Sequence, residues 1–242
     1  MIKKKLLVII PARKGSKGIK DKNIFIINKK PLIYYSIIAS NFIKERNKIV
    51  ICCTDSKKIS KISKSYGAEV PFLRPKNISQ DSSLDIEFVN FCLKKFYEKG
   101  IVFNYGLILR PTSPIRKKKI LNTAYNLFIK NKKASSLRAI TESPITPYKM
   151  WRLKKNFISP IMKNSFYEGY NMPRQQLPKV YWQTGNFEFF RINFSKKILS
   201  ISGKKIIGFA IKGDQIIDID NLDDLKLASK ILISKYSKIY KL

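Results

Sequence analysis

The chain has 242 residues, a hydrophobic fraction of 44% and a formal net charge of +33, with no histidine. That length fits one large α/β domain or one domain with a small lobe, and that apolar content is too high for a disordered chain. The missing histidine excludes Ser-His-Asp, Cys-His and His–metal chemistry, leaving carboxylates, Lys, Arg, backbone donors or a metal held by oxygen. The positive charge is almost all lysine, 40 Lys against 9 Arg, and it is spread along the chain. A nucleic-acid footprint clusters, so the expectation is a solvated lysine surface with some attraction for anionic substrates and no specific nucleic acid as partner. No run of about 18 apolar residues exists, so no membrane partner is expected. The N-terminal apolar run is too short for a signal segment. Cys52, Cys53 and Cys92 show no metal or disulfide spacing and are read as reduced thiols of a cytoplasmic protein.

The run Leu6-Leu7-Val8-Ile9-Ile10 ends at Pro11 and predicts a buried strand over 6–10. A polar loop over 11–23 follows. Pro31 suits a first helical position and opens a predicted helix over 31–45. A second strand is expected over 49–53, ending in Thr54-Asp55, with Ser56 placed to cap the next helix. Ile59, Ile62 and Tyr66 line that helix and Gly67 ends it. A short strand over 69–73, an amphipathic helix over 84–99, a strand over 105–109, a helix over 117–130 and a strand over 135–140 complete the alternation. Such alternation predicts a mostly parallel sheet with helices on both faces. Ligands of these folds bind at the carboxyl ends of the strands, where the loops 11–23, 54–55 and 110–116 lie. Residues 144–185 break the rhythm with five prolines and both tryptophans, Trp151 and Trp182, and are read as a lobe inserted in a single domain spanning 1–242. Strands over 187–192 and 205–211 and a helix over 221–240 follow.

Three segments carry candidate chemistry. The 11–23 loop holds Gly15, Gly18, Arg13, Lys14, Lys17, Lys20 and Lys22, so backbone N–H groups can approach an anion that Arg and Lys neutralise. It matches neither a Walker A loop nor a dinucleotide fingerprint, and a plain solvated loop is the competing reading. The second segment is acidic: five of the 16 acids, Asp214, Asp218, Asp220, Asp223 and Asp224, fall within eleven positions. Asp218 and Asp220 share one face of an extended segment, and two carboxylates plus substrate phosphates suit Mg²⁺ (or Mn²⁺); a simple turn is the alternative. Asp223 and Asp224 suit the positive end of the last helix. The third is Pro173-Arg174-Gln175-Gln176-Leu177-Pro178, whose Arg and amides offer donors to carboxylate or phosphate oxygens, unless it is only a surface loop.

Taken in order, six motifs resemble one family. They are Ile10-Pro11-Ala12-Arg13-Lys14-Gly15-Ser16-Lys17-Gly18-Ile19 with Lys22-Asn23; Cys53-Thr54-Asp55-Ser56; the run from Tyr66 through Arg74-Pro75; Arg110-Pro111-Thr112-Ser113-Pro114-Ile115-Arg116; Pro173 to Pro178; and Ile217-Asp218-Ile219-Asp220. The family is that of the acylneuraminate cytidylyltransferases, the CMP-sialic acid synthetases, and the likeness runs over nearly the whole chain. It implies a Rossmann-like fold of the nucleotide-diphospho-sugar transferase type and an enzyme that joins CTP to a nine-carbon acidic sugar of the sialic, legionaminic or pseudaminic type. Ala12, Arg13, Gly15, Lys22 and Asn23 would hold the nucleotide, with Gln80 and Asp81 near the base. Arg110, Thr112, Ser113, Arg174, Gln175 and Glu188 would face the sugar. Asp218 and Asp220 would hold the metal, and with Arg13 and Lys22 they form the expected catalytic set. The resemblance also implies a homodimer whose inserted lobe reaches into the partner's site.

The sequence departs from that pattern in three places. Arg110 stands where family members usually carry Gln, Thr184-Gly185-Asn186-Phe187-Glu188 replaces the usual Asn-Gly-Ala-Ile-Tyr, and Gln80 stands where the base-side Ser is usual. Two of these fall on the sugar side. Arg110 there should meet a carboxylate, an acyl oxygen or a phosphate, unless Glu188 pairs with it internally. Alternatives to the main reading are a related nucleotidyltransferase for another sugar or nucleotide, such as GTP with a hexosamine phosphate, and, more distantly, a basic nucleic-acid-binding protein.

Overall fold

In the computed structural model the described residues are 1–15, 18–162 and 166–242; Ser16 and Lys17 of the expected phosphate loop lie outside them. Strand β1, Ile2–Pro11, pairs along both edges, and its side chains divide by parity. Leu6, Val8 and Ile10 enter one apolar layer, while Leu7 and Ile9 enter the other. All five are fully buried, each worth roughly 1.5–3 kcal/mol. A strand that buries both faces needs cover on both. Helix α3 (Asp85–Glu98) supplies Phe88, Val89, Cys92, Leu93 and Phe96 to the second layer, and α1 (Leu32–Ser40), α4 (Lys118–Lys130) and α5 (Leu222–Tyr240) cover the first.

After β1 the chain makes a 3-10 turn at Lys22–Ile24 and a small hairpin, β2 Ile26–Ile27 with β3 Lys30–Pro31, then enters α1, Leu32–Ser40. Pro31 caps α1 from outside, and the helix ends five residues earlier than expected. Lys48 Nζ donates to Ser40 O at 3.0 Å and Ile43 O at 2.7 Å, which satisfies carbonyls a longer helix would have used internally. Strand β4, Lys48–Cys53, turns Cys52 into one layer and Cys53 into the other, as strand alternation requires. Ser56 caps α2, Lys57–Ser65, its Oγ accepting from Ile59 N at 3.3 Å. The strand expected over 69–73 shrinks to a single bridge, Glu69 to Ile51, because Pro71 has no N–H to continue the ladder.

Helix α3 is Asp85–Glu98, β5 is Ile101–Ile108, α4 is Lys118–Lys130 and β6 is Ser136–Glu142. Strands β7, Trp151–Lys154, and β8, Phe157–Pro160, form a hairpin of their own. Strand β9, Tyr181–Arg191, β10, Ile206–Ala210, and α5, Leu222–Tyr240, complete the chain. The lobe boundary expected at 185 therefore moves back, since Tyr181 already pairs with Glu142 in the main sheet. Asn221 caps α5, its side chain accepting from the N–H groups of Asp223 and Asp224 at 2.9 Å.

The six-stranded sheet has the order β10-β6-β9-β5-β1-β4. Three pairings are parallel and the two made by β9 are antiparallel. From β1 the chain goes out to β4 on one side and returns to β5 on the other, which creates a switch point between β1 and β5. Strand β9 also slips register: Glu188 faces Arg138 and Gln183 faces Ile140, so residues 184–187 oppose the single residue Ala139. That bulge directs Gly185 and Asn186 towards the loop after β5.

Candidate active site

At the switch point, beyond Pro11 of β1 and Ile108 of β5, opens a cleft of about 430 Å³. Arg13, Lys22, Arg74 and Arg110 line it together with Asp81, Asp85 and Asp220. Three of the chain's 16 acids thus border one cleft on a strongly basic protein.

The two segments singled out by their charge meet here. Lys22 Nζ donates to Ile219 O at 2.8 Å and to Asp220 Oδ1 at 3.2 Å. A Cβ on Gly18 would lie 2.5 Å from Asp220 O, so only glycine lets the loop lie against the acidic segment. Asn23 Nδ2 donates to Arg13 O at 2.9 Å and braces the loop from within. Arg13 pairs with Asp81 across the cleft mouth. On the other side, Ile219 N donates to Thr112 O at 2.8 Å, and Ser113 Oγ donates to Asp218 Oδ1 at 3.3 Å. Asp218 therefore lies behind the cleft wall, while Asp220 stands in it with a side chain 82% exposed. Among the described residues no three His, Cys, Asp or Glu side chains group to hold a metal by themselves. Asp220, with Asp218 behind it, supplies the kind of side-chain oxygen that could join phosphates in holding a cation such as Mg²⁺.

The wall after β5 is fixed by Arg116, which closes the motif Arg110 to Arg116 and to which the sequence alone assigns no role. The Arg116 guanidinium is buried, its residue only 1% exposed. It donates to Asn186 O at 2.7 Å, Ser36 Oγ at 3.1 Å and Arg110 O at 2.8 Å. Burial pushes its pKa down to about 10, opposed by Tyr240 and Asp218, so it keeps its charge at neutral pH. Tyr240, near the end of α5, accepts from Arg116 N at 3.0 Å and donates to Pro114 O at 3.0 Å. Asn186 Nδ2 donates to Ile115 O and Gln215 O. The loop that brings Arg110 and Thr112 into the cleft is thereby anchored to α1, α5 and the β9 bulge.

The alternative pairing of Arg110 with Glu188 does not form. Arg110 forks onto Asp85, the first residue of α3, with Nη1 to Oδ1 at 3.4 Å and Nη2 on Oδ2. Burial alone would lower the Arg110 pKa, but hydrogen bonding to Asp85 and the charges of Asp85, Glu188 and Asp218 outweigh it and raise it. Glu188 instead pairs with Arg138, its cross-strand neighbour on β6. Burial raises the Glu188 pKa against the pull of Arg138 and Arg110. Glu188 lies inside the sheet, so it is a supporting charge behind the site and not a cleft residue. A helix-opening acid such as Asp85 has an ordinary dipole role, which is why nothing in the sequence marked it.

Of the other expected residues, Gln80 lines the cleft beside Asp81. Ala12 is buried beneath it, with its N–H on Cys53 O at 3.0 Å, and Gly15 is exposed away from the lining. Arg174 and Gln175 are not brought to this cleft: they line a separate groove of about 400 Å³ with Glu142, Ser143 and Thr146, where Arg174 Nη2 donates to Ser143 O at 2.8 Å. Arg74 and Phe88 are additions; Arg74 Nε donates to Ser79 Oγ at 2.9 Å and its guanidinium lies 5.7 Å from the Phe88 ring centre. Arg74 was within a quoted motif, so its signal was present but carried no charge pattern.

A mostly parallel sheet whose switch point opens onto a cation- and carboxylate-lined cleft is the architecture of a nucleotide-binding α/β enzyme. The same fold is found in the solved structure of a CMP:2-keto-3-deoxy-manno-octonic acid synthetase complexed with CTP, with a TM-score of 0.67, 13% identity and coverage of 96% of this chain and 99% of that one. The chain belongs to the cytidylyltransferase family, which matches residues 7–160, and is a nucleotidyltransferase. It is 32% identical over 234 residues to the pseudaminic acid cytidylyltransferase of Campylobacter jejuni, covering 94% of this chain and 96% of that protein. It is 29% identical over 231 residues to the CMP-N,N'-diacetyllegionaminic acid synthase of Legionella pneumophila, with the same coverage.

Proposed function

We propose that this enzyme joins CTP to a nine-carbon acidic sugar of the sialic, legionaminic or pseudaminic type, giving the CMP-sugar and pyrophosphate. The observation that carries this reading is the meeting of the Gly18–Lys22 loop with Asp220 in one cleft, in a chain whose full-length relatives are named for CMP activation of such sugars. Arg13 and Lys22 neutralise the triphosphate, and the backbone at Gly18 allows its close approach. Asn23, Gln80 and Asp81 take the nucleoside end. The sugar's anomeric hydroxyl attacks the α-phosphorus, the new P–O bond forms as the bond to the β-phosphate breaks, and pyrophosphate leaves in line. The hydroxyl proton passes to the sugar's own carboxylate, which is attached to the same carbon. Most of the rate comes from positioning and charge neutralisation.

Asp220, with Asp218 behind it, would hold Mg²⁺ (or Mn²⁺), which supplies Lewis-acid polarisation of the phosphates when bound. Arg174 and Gln175 lie away from the cleft within one chain, and the lobe beside them exposes Leu153, Phe157, Ile158 and Tyr167. An apolar surface of that kind suits burial against a second copy, and in such a homodimer the Arg174 groove would serve the partner's cleft. No helix among the described residues is long and apolar enough to cross a membrane, which fits the cytoplasmic setting proposed for CTP chemistry. A pyrophosphate-release assay with each of the four NTPs against a panel of nine-carbon acidic sugars tests the reading. Release with CTP and at least one such sugar is expected. Release only with another nucleotide and a sugar phosphate would replace it with the related nucleotidyltransferase reading.

A further inference from the structure

We infer that Asp85 and Arg110 act as one paired recognition element that takes a neutral donor–acceptor substituent of the sugar, an acylamino or hydroxyl group, and not its carboxylate. The inference rests on the proposed sugar-activating reading of the cleft. Both residues line that cleft, and both side chains are partly open to it, 38% for Asp85 and 29% for Arg110. Each comes from a rigid position. Asp85 begins α3, where Glu87 accepts Leu84 N at 2.7 Å. Arg110 follows β5, and the carbonyl of Arg110 is held by Arg116 and by Ser36 Oγ at 3.1 Å. A Cβ on Gly185 would lie 2.8 Å from Ser113 Oγ and 3.1 Å from Asp218 Oδ2, so the β9 bulge packs closely against this wall as glycine.

The electrostatics decide what this pair can bind. Arg110 already has a carboxylate in its fork, and Glu188 and Asp218 act on it from behind. A sugar carboxylate arriving here would meet a guanidinium whose charge is matched and would face the Asp85 anion at close range. Like charges at contact distance disfavour each other unless one is protonated. A neutral group has no such conflict: a hydroxyl or amide N–H donates to Asp85, and a hydroxyl or acyl oxygen accepts from a remaining Arg110 N–H. Arginine keeps spare donors after making a two-point contact, because the guanidinium carries five N–H groups. A paired charge also discriminates well, since a substrate lacking the group leaves buried donors and acceptors unmet.

A double-mutant cycle tests the inference. The proteins are wild type, Asp85→Asn, Arg110→Gln and the double variant; the readout is kcat/KM at saturating CTP for three acidic sugars that differ at one carbon, bearing acetamido, hydroxyl or hydrogen there. Each single variant should lose about tenfold or more on a sugar bearing the group, because each leaves one partner uncompensated. The double variant should be no worse than either single one, wild-type preference among the three sugars should flatten, and the KM for CTP should stay within about threefold. Melting temperature reports folding separately. Losses that multiply in the double variant, or that are equal for all three sugars, overturn the inference, since the second outcome means Arg110 acts on the carboxylate they share. If wild type activates no acidic sugar at all, the broader reading of the site falls with it, a result distinct from either of those.

Discussion

The two sides of the cleft are assembled differently. On the phosphate side, the loop after β1 and the segment before α5 are brought together within one chain, by Lys22 on Asp220 and by the backbone contact at Gly18. On the sugar side, the wall after β5 carries Arg110, but the second group of expected sugar residues, Arg174 and Gln175, lies in another groove. Phosphates are common to every nucleotidyl transfer, so one chain can fix their site once. Sugars differ, and on the proposed reading their site is divided between a wall held by buried hydrogen bonds and a lobe that shares no sheet with it. The phosphate side and the buried wall, both fixed within one chain, predict large effects on folding or on turnover, and the lobe predicts smaller effects confined to one substrate.

The largest effect should come from the wall's anchor. Arg116→Met removes the buried donor to Asn186 O, Ser36 Oγ and Arg110 O, of which Arg110 O keeps Ser36 Oγ and Ser113 N, at about 1–3 kcal/mol for each group left unmet. A loss of about 3 kcal/mol corresponds to a melting temperature roughly 6–12 °C lower for a domain of this size. A shift under about 2 °C in a thermal melt would mean the loop does not depend on Arg116.

Asp220→Asn tests the phosphate side. The side chain is exposed and borders the cleft, so the melting temperature should hold while kcat falls about 10²-fold, the size expected when a key charge contact is lost. Full activity at limiting Mg²⁺ in both Asp220→Asn and Asp218→Asn would remove the aspartates from the chemistry.

Arg174→Ala should raise the sugar KM by about tenfold and leave the CTP KM unchanged. Mixing it with Asp220→Asn before assay sharpens the comparison. If the lobe serves the partner's cleft, mixed dimers contain one intact site, and activity at low sugar should exceed the sum of the separate variants. Strict additivity would mean that Arg174 does not serve the partner's cleft, and an unchanged sugar KM in Arg174→Ala itself would place it outside the sugar site. The smallest effect concerns charge: binding to random duplex DNA at physiological salt should stay in the non-specific range, Kd about 10⁻⁴–10⁻⁶ M. A complex surviving 200 mM salt would revive the nucleic-acid reading.

What the sequence revealed follows from how local each signal was. The buried strand at Leu6 to Ile10, the cap at Ser56 and the acids Asp223 and Asp224 opening the last helix are written in adjacent residues, and the structure forms them as expected. The union of Lys22 with Asp220 spans 198 positions, yet it was approachable because each segment was unusual in charge on its own. Asp85 and Arg116 were not. Asp85 reads as an ordinary helix-opening acid and Arg116 as one more basic residue in a basic chain; their roles arise only when α3, β9 and α5 pack around the β5 loop. The pairing of Glu188 with Arg138 depended on a cross-strand register that single-chain patterning does not fix when a bulge intervenes.

The central claim is nucleotidyl transfer in this cleft, and labelled CTP tests it most directly. With an acidic sugar that supports turnover, label at the α-phosphate should appear in the sugar product one for one with γ-label in pyrophosphate, and Asp220→Asn should slow both together. Transfer of the γ-label to the sugar, or release of α-label only as free CMP, would contradict it.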